Sequence, residues 1–195
     1  MRRACCCSDR SLCSPLCVGE ITVRELAVKG ATVYLAARNP AKADAAMARI
    51  AKLHGDAVKA RIHLLKVDLL DLNNVKSAAD QFLRLEDRLD ILVNNAGIMA
   101  TPYALTKDGI EEQVGVNVVA HWLLTFALLP LLVKTSRRPE YEESKTTVRI
   151  VQVSSIGHAL FGRAAPGQSW KTLEQVNARL GLEALATWRR YGKSK

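Results

Sequence analysis

Residues that can bind a ligand follow four predicted strands of this chain. Arg38 and Asp68 each come directly after an apolar stretch, as do the run 94–97 (NNAG) and the pair Ser154 and Ser155. Ligands of open α/β sheets bind beyond the carboxyl ends of the strands. These four positions therefore hold the candidate binding residues, and they offer guanidinium, carboxylate, amide and hydroxyl groups.

A phenol and an ammonium group stand close together near the last position of the sequence. Tyr191 and Lys195 are four residues apart, which on a helix places them on one face about a turn apart. An ammonium group favours the ionised form of a neighbouring phenol. The spacing therefore brings together two groups that can take part in proton transfer.

The elements that position these residues are indicated by alternating apolar and amphipathic stretches. Strands are predicted at 32–37, 62–67, 89–93 and 148–153, and helices at 20–29, 40–53, 72–85 and within 109–132. Strands that are buried on both faces and separated by helices predict a doubly wound parallel α/β sheet, which is a Rossmann-like fold. The polar stretch 136–147 is interpreted as a solvated connector.

Composition limits the classes of function. The 195 residues are 49% hydrophobic and 24% charged, which predicts one globular domain, and the formal net charge is +9. The 5% aromatic residues are scattered, without the basic and aromatic motif of a nucleic-acid binder, so the charge is interpreted as a basic surface suited to a phosphate-bearing small ligand. All five cysteines lie in the first 17 residues, which predicts neither a disulfide framework nor a metal site.

A membrane helix is the alternative interpretation of residues 114–133, which carry no charged side chain. The polar residues Asn117 and His121 would be costly within a bilayer, so a buried core helix is favoured. We therefore expect a cytoplasmic protein, with a membrane-anchored protein as the less favoured hypothesis.

Five motifs follow one another along the chain: VDLLDL (67–72), LDILVNNAGIM (89–99), VNVVAHWLLT (116–125), RIVQVSSIGH (149–158) and YGKSK (191–195). Together, and in this order, they resemble the short-chain dehydrogenase/reductase family. The phrase VYLAARNPAKA (33–43) and the long interval between Ser155 and Tyr191 are most similar to the retinol-dehydrogenase-like and WW-domain-oxidoreductase-like branch. The resemblance implies hydride transfer between a nicotinamide cofactor and a small-molecule alcohol or carbonyl substrate. Whether the chain forms a homo-oligomer is left open by the sequence.

The resemblance assigns catalytic roles to four residues. Tyr191 would be the general acid/base, Lys195 would favour its phenolate and bond the nicotinamide ribose, Ser155 would hold the substrate oxygen, and Asn117 would anchor a relay water. A phenol of ordinary pKa, about 10, is a poor base at neutral pH, and bringing it near 7 needs about 4 kcal/mol of differential stabilisation. The lysine is placed to supply part of that stabilisation.

The cofactor contacts implied by the resemblance lie at the strand ends. They are Gly19, Arg38, Asp68, Leu69, Asn94, Ala96 and Gly97, and no metal ligand is among them. The place after the second strand, where an acidic side chain would grip a ribose 2′-hydroxyl, holds Ala37 and then Arg38. Because a guanidinium matches phosphate geometry, NADP(H) is preferred, with NAD(H) as the alternative.

The first strand and the glycine loop depart from the family pattern. The three glycines of GxxxGxG fall on Cys13, Cys17 and Gly19, and the preceding strand falls on 6–11, which places Asp9 and Arg10 within the sheet. We expect residues 1–18 to be an atypical Cys-rich segment and 19–195 a partial NAD(P)-binding domain, truncated at both ends and without its C-terminal strands. A non-catalytic truncated pseudoenzyme, with weak or no cofactor binding, is therefore the second functional hypothesis.

Overall fold

A computed structural model of the chain describes residues 3–7, 18–144, 147–161 and 170–195. The strands form one parallel five-stranded sheet in the order β3-β2-β1-β4-β5. They are β1 (Arg3–Cys7), β2 (Thr32–Ala37), β3 (Ile62–Lys66), β4 (Ile91–Asn94) and β5 (Arg149–Gln152). The predicted Rossmann-like α/β sheet is confirmed, and four of its strands lie within two residues of their predicted bounds.

Helices connect the strands and cover the sheet. The first six are α1 (Val18–Val28), α2 (Pro40–His54), α3 (Asp56–Lys59), α4 (Leu72–Leu85), α5 (Glu112–Val114) and α6 (Ala120–Ser136), with a π-helical turn at Gly115–Val119 between the last two. The others are α7 (Pro139–Ser144), α8 (Gly157–Phe161), α9 (Leu173–Val176) and α10 (Glu183–Lys193). The core has two parts: α4 and α6 pack with the sheet in one, and α1 and α2 pack with it in the other.

The predicted position of the first strand, 6–11, is wrong. The central strand is Arg3–Cys7, which pairs with β2 on one side and β4 on the other. Ala4 and Cys5 are buried, whereas Arg3 is the first residue of this strand and donates to Glu86 and Asp90. This register keeps the charged side chain at the amino end of the central strand. Asp9, Arg10, Cys13 and Cys17 lie outside the described residues.

The interpretation of 136–147 as a solvated connector is wrong for its first part. Residues Pro139–Ser144 form α7, with proline in the first turn, where its missing N–H costs nothing. Tyr141 of this helix is buried and its hydroxyl donates to Asp90, which Arg88 also contacts through two hydrogen bonds. The sequence contains no local signal for this long-range contact.

The long apolar helix begins at Glu112, three residues after the start of the segment predicted to contain it. Gly109 has φ +74°, and the side chain of Glu111 caps the helix by accepting from Val114 N at 3.0 Å. Among the described residues, the continuous helix Glu112–Ser136 is the one that is long and apolar enough to cross a membrane, and 44% of its most apolar 18-residue window is buried. Leu124 and Leu128 lie in the core, whereas Trp122 and Phe126 stack on each other at the surface.

Candidate active site

Tyr191 and Ser155 both lie close to Gly157. Ser155 follows β5, and its Oγ accepts a hydrogen bond from Gly157 N at 3.1 Å. A β-carbon added to Gly157 would lie 2.8 Å from Tyr191 Cε1 and 3.4 Å from Ser155 Oγ. The absence of a side chain at Gly157 therefore allows the phenol ring of α10 to approach the Ser155 turn.

Lys195 lies against the turn that follows β4. A β-carbon on Gly97 would be 2.8 Å from Lys195 Nζ and 3.2 Å from Asn117 Oδ1, so the ammonium and the amide meet over this glycine. Lys195 Nζ also donates to Val153 O at 3.4 Å. Burial lowers the pKa of Lys195 because the charged ammonium is costly away from water.

Asn117 connects the β4 turn to α10. Its Oδ1 accepts from Ile98 N at 2.9 Å, and its Nδ2 donates to Ile98 O at 3.0 Å and to Ser194 Oγ at 2.8 Å. Ser194 Oγ in turn donates to Tyr191 O at 2.8 Å. Asn117 lies in the π-helical turn, a feature that is frequent at functional sites. Asn117 is thus linked to Tyr191 through Ser194 and lies beside Lys195 over Gly97, whereas Ser155 approaches Tyr191 at Gly157.

A cavity of about 300 Å³ adjoins Lys195 and Asn117. His121 and Ser154 also line it, together with the apolar side of Trp122. His121 is buried, and its Nδ1 lies 3.2 Å from Asn117 O. Burial lowers the pKa of His121 to about 4, and the positive charge of Lys195 acts in the same direction. The imidazole is therefore neutral at neutral pH.

Two predicted cofactor residues meet at the ends of β2 and β3. Arg38 Nη1 lies 3.9 Å from Asp68 Oδ1, and both side chains are about one-third exposed. Asp68 also accepts from Leu70 N at 3.1 Å, which fixes its carboxylate at the start of the turn. A guanidinium thus stands at the carboxyl edge of the sheet, where a phosphate group can reach it.

The other predicted cofactor residues are more buried. Leu69 and Ala96 lie in the core, and Gly19 is buried in the first turn of α1. Asn94 is buried and its Nδ2 donates to Thr125 Oγ1 of α6 at 2.8 Å. The Asn94 side chain therefore holds β4 to α6, and its predicted contact with the adenosine ribose stays a prediction.

Sequence reasoning missed three contributors to the site. Ser194 belongs to the YGKSK motif and Gly157 to RIVQVSSIGH, so the motifs contain both residues. Their roles were missed because their contacts depend on segments that are distant in sequence. The sequence predicts His121, in VNVVAHWLLT, only as a polar residue of the core helix. Within the described part of the chain, no group of three or more His, Cys, Asp or Glu residues is placed to hold a metal ion.

Known proteins are similar to this chain in sequence. A family model described as short chain dehydrogenase matches residues 17–164. The short-chain dehydrogenase/reductase drtF of Aspergillus calidoustus is 43% identical over 178 residues, which are 91% of this chain and 52% of that protein. Retinol dehydrogenase 12 of Homo sapiens is 38% identical over 141 residues, which are 72% of this chain and 40% of that protein.

A solved structure shares the fold as well. The crystal structure of an uncharacterised protein from Mycobacterium paratuberculosis superposes with a TM-score of 0.71 at 35% sequence identity, covering 100% of this chain and 57% of that one. The chain spans about half the length of the curated relatives it matches. With a family-model match over most of its length and the predicted sheet in place, the chain belongs to the short-chain dehydrogenase/reductase family, in its retinol-dehydrogenase-like branch.

Proposed function

We propose that the edge formed by Tyr191, Lys195, Ser155 and Asn117 is the active site of an NADP(H)-dependent oxidoreductase that interconverts a small-molecule alcohol and its carbonyl. The observation that carries the proposal is the meeting of these groups around two glycines. The Tyr191 ring and Ser155 Oγ both lie within 3.4 Å of the position of an added β-carbon on Gly157, and Lys195 Nζ and Asn117 Oδ1 both lie within 3.2 Å of that position on Gly97. The nicotinamide, when bound, would supply or accept the hydride.

The Tyr191 and Ser155 side chains would handle the substrate oxygen. A phenol hydroxyl both donates and accepts hydrogen bonds, and so does a serine hydroxyl. Placed side by side, the two can hold one substrate oxygen while Tyr191 gives a proton to it in reduction or takes one from it in oxidation. The Gly157 N–H, bonded to Ser155 Oγ, orients the serine lone pairs.

Lys195 and Asn117 would support the proton transfer. Lys195 is held between Gly97 and Val153 O, and its ammonium favours a phenolate nearby. Lys195 also lines the cavity beside Asn117. Asn117 fixes the end of α10 through Ser194, so the amide keeps Tyr191 and Lys195 in register with the β4 turn.

Arg38 would set the preference for the phosphorylated cofactor. Its guanidinium stands beside Asp68 at the edge of β2 and β3, with a side chain 37% exposed. A planar fork of donors suits the oxygens of a 2′-phosphate. Asp68 lies next to Arg38 at the same edge. Its carboxylate would accept a hydrogen bond from the adenine of the cofactor.

Cofactor binding is tested by NADPH fluorescence titration of the purified chain. We expect saturable binding that Arg38→Glu weakens at least about tenfold, because one charge-assisted contact contributes about 1.5–3 kcal/mol. Arg84→Glu makes the same change of charge at an exposed position outside the site and should leave the affinity unchanged. A folded chain that gives no saturable signal would refute the cofactor assignment.

Turnover is tested on the same preparation with a panel of carbonyl substrates and Tyr191→Phe. The variant should bind NADPH as the wild type does and lose its turnover, because phenylalanine keeps the ring and lacks the hydroxyl group that would exchange the proton. Turnover that survives in Tyr191→Phe would refute the catalytic assignment. Cofactor binding without turnover in the wild-type chain would instead favour the non-catalytic alternative.

We also propose that the enzyme works in the cytoplasm. Leu124 and Leu128 of the apolar helix are buried in the core of the sheet domain, which supports its use as a core helix. The chain should then be recovered in the soluble fraction after cell lysis without detergent. Recovery only with detergent would overturn this location.

A further inference from the structure

The helix that carries Tyr191 is held by a buried ion pair. Arg190, the residue before Tyr191, is 1% exposed, and Glu111 at the start of α5 is fully buried. Arg190 Nε lies 3.3 Å from Glu111 Oε1. Two charges brought this far from water are costly unless they face each other and their remaining groups are bonded.

The remaining donors of Arg190 reach two further segments. Its Nη1 donates to Arg179 O at 3.0 Å and its Nη2 to Thr101 O at 3.3 Å. The ring centroid of Tyr103 lies 5.4 Å from Cζ of Arg190 and 4.5 Å from Cζ of Arg179. One rigid guanidinium thus contacts the loop after β4, the start of α5 and the segment before α10.

Glu111 and its neighbours are fixed in the same way. Glu111 N donates to Asn177 Oδ1 at 2.7 Å, and Asn177 Nδ2 donates to Gly109 O at 2.7 Å. Gln113 Nε2 donates to Thr187 O of α10 at 3.1 Å. The residues that precede Tyr191 on α10 are therefore tied to α5 twice, once through Gln113 and once through the ion pair.

We propose that the Glu111–Arg190 pair is a positioning device that sets where Tyr191 stands relative to Ser155. Apolar residues of similar volume would stabilise the helix as well or better, because a buried ion pair adds little net stability. A guanidinium with a fixed fork of donors, however, selects one orientation of the helix against three segments at once. The Tyr191 ring, packed on Gly157 with Cε1 2.8 Å from the position of an added β-carbon, has little tolerance for rotation of α10.

The catalytic meaning of this inference rests on the proposed function, but the position of Tyr191 can be measured without turnover. The chain has four tyrosines, and in a sample labelled with ¹³C-tyrosine the Tyr191 ring signals are identified by their loss in Tyr191→Phe. We expect Glu111→Gln to shift or broaden the Tyr191 signals and to leave those of Tyr34 and Tyr141, at the opposite edge of the sheet, in place. Glu112→Gln, the same change one residue further on, should shift none of them.

Arg190→Lys separates orientation from charge. Lysine keeps the positive charge but is a compact donor that cannot span Glu111, Arg179 O and Thr101 O together. We expect it to shift the Tyr191 signals as Glu111→Gln does, whereas Arg189→Lys on the exposed side of α10 should not. In a turnover assay both variants of the ion pair, Glu111→Gln and Arg190→Lys, should lower kcat about tenfold or more with the NADPH Kd unchanged.

The outcomes separate this inference from the proposed function. If Glu111→Gln and Arg190→Lys leave the Tyr191 signals where Glu112→Gln leaves them, the inference is overturned whatever the activity. If the signals move while the wild-type chain has no turnover, the positioning role stands and the proposed function fails. Should Glu111→Gln alone not fold, Glu111→Gln with Arg190→Gln leaves no buried unpaired charge, and the same comparison of Tyr191 signals decides.

Discussion

Replacement of Gly157 by alanine tests whether the site needs the close approach of Tyr191. The added β-carbon would lie 2.8 Å from Tyr191 Cε1 and 3.1 Å from Cδ1, both ring atoms of a buried side chain. Carbon atoms in ordinary contact are about 3.5–4.0 Å apart. The ring must therefore retreat by roughly 0.7–1.2 Å, or α8 must move away from α10 by the same amount.

The backbone itself accepts the substitution. Gly157 is not among the positive-φ glycines and is the first residue of α8, so alanine fits the backbone there. Displacement of the ring should cost about 1–3 kcal/mol of stability, as overpacking does, so activity is compared under conditions where the variant is fully folded and a loss of activity reflects geometry. A displacement of about 1 Å at a reacting group can lower the rate by about 10²-fold.

The measurement is kcat for NADPH-dependent carbonyl reduction at saturating cofactor, with the NADPH Kd and the urea midpoint as companions. We expect kcat to fall about 10²-fold in Gly157→Ala while the Kd stays close to wild type and the urea midpoint falls by the equivalent of about 1–3 kcal/mol. Ile156→Ala is the control, because Ile156 is 70% exposed and next in sequence. A Gly157→Ala enzyme with kcat within about twofold of wild type would show that the approach of Tyr191 to Ser155 is not required, and the reasoning from distance would be wrong.

Three further changes probe the rest of the site and the fold. Gly97→Ala places a β-carbon 2.8 Å from Lys195 Nζ, so kcat should fall about tenfold or more at unchanged melting temperature, and an unchanged kcat would contradict the placement of the lysine. Because burial holds the pKa of His121 at about 4, against about 6.5 in an unfolded chain, the folded state binds fewer protons and stability falls as the pH drops below 6.5. Urea unfolding at pH 7 and pH 4.5 should show a loss about 2–3 kcal/mol larger in wild type than in His121→Gln, and equal losses would refute the burial argument. Asp90→Asn removes the partner of Arg88 from a buried position and should lower the free energy of unfolding by about 3 kcal/mol at pH 7, whereas a change below about 1 kcal/mol would mean that the pair is solvated.

Four of the five strands could be predicted because their signal is local. The β2 stretch TVYLAA at 32–37 is apolar, rich in β-forming residues and buried along its whole length. The expectation of burial on both faces is wrong for β5, whose four residues are exposed at the edge of the sheet. The first strand could not be placed, since RACCC has no such signal. Its position is set by Arg3, whose backbone N–H and guanidinium meet Asp90 and Glu86 more than eighty residues later. The α7 helix was missed for the same reason, because Tyr141 is held by that same Asp90.

The catalytic candidates could be found from strand ends and the Tyr191 to Lys195 spacing, but their supports could not. The water-anchoring role of Asn117 stays a prediction, whereas the structure shows both amide hydrogens donated, to Ile98 O and Ser194 Oγ, and Oδ1 accepting from Ile98 N. Neither contact follows from periodicity, since both join segments far apart in sequence. The π-helical turn that holds Asn117 likewise lies inside what the pattern predicts as a regular helix.

The two site glycines explain why the sequence carries so little of this geometry. Gly97 and Gly157 adopt backbone conformations open to any residue, so a turn or a positive φ does not require them. What they accommodate is a distant side chain: Tyr191 of α10 packs on Gly157, and Lys195, which lies beyond the end of α10 at Lys193 and not on the helix with Tyr191 as the spacing predicts, packs on Gly97. When a glycine is needed only because a side chain that is distant in sequence packs against it, the neighbouring residues carry no pattern that predicts the contact. Changing either glycine and either partner together, in a double-mutant cycle, should therefore give strongly non-additive losses of kcat, and additive losses would mean that the glycines serve the backbone instead.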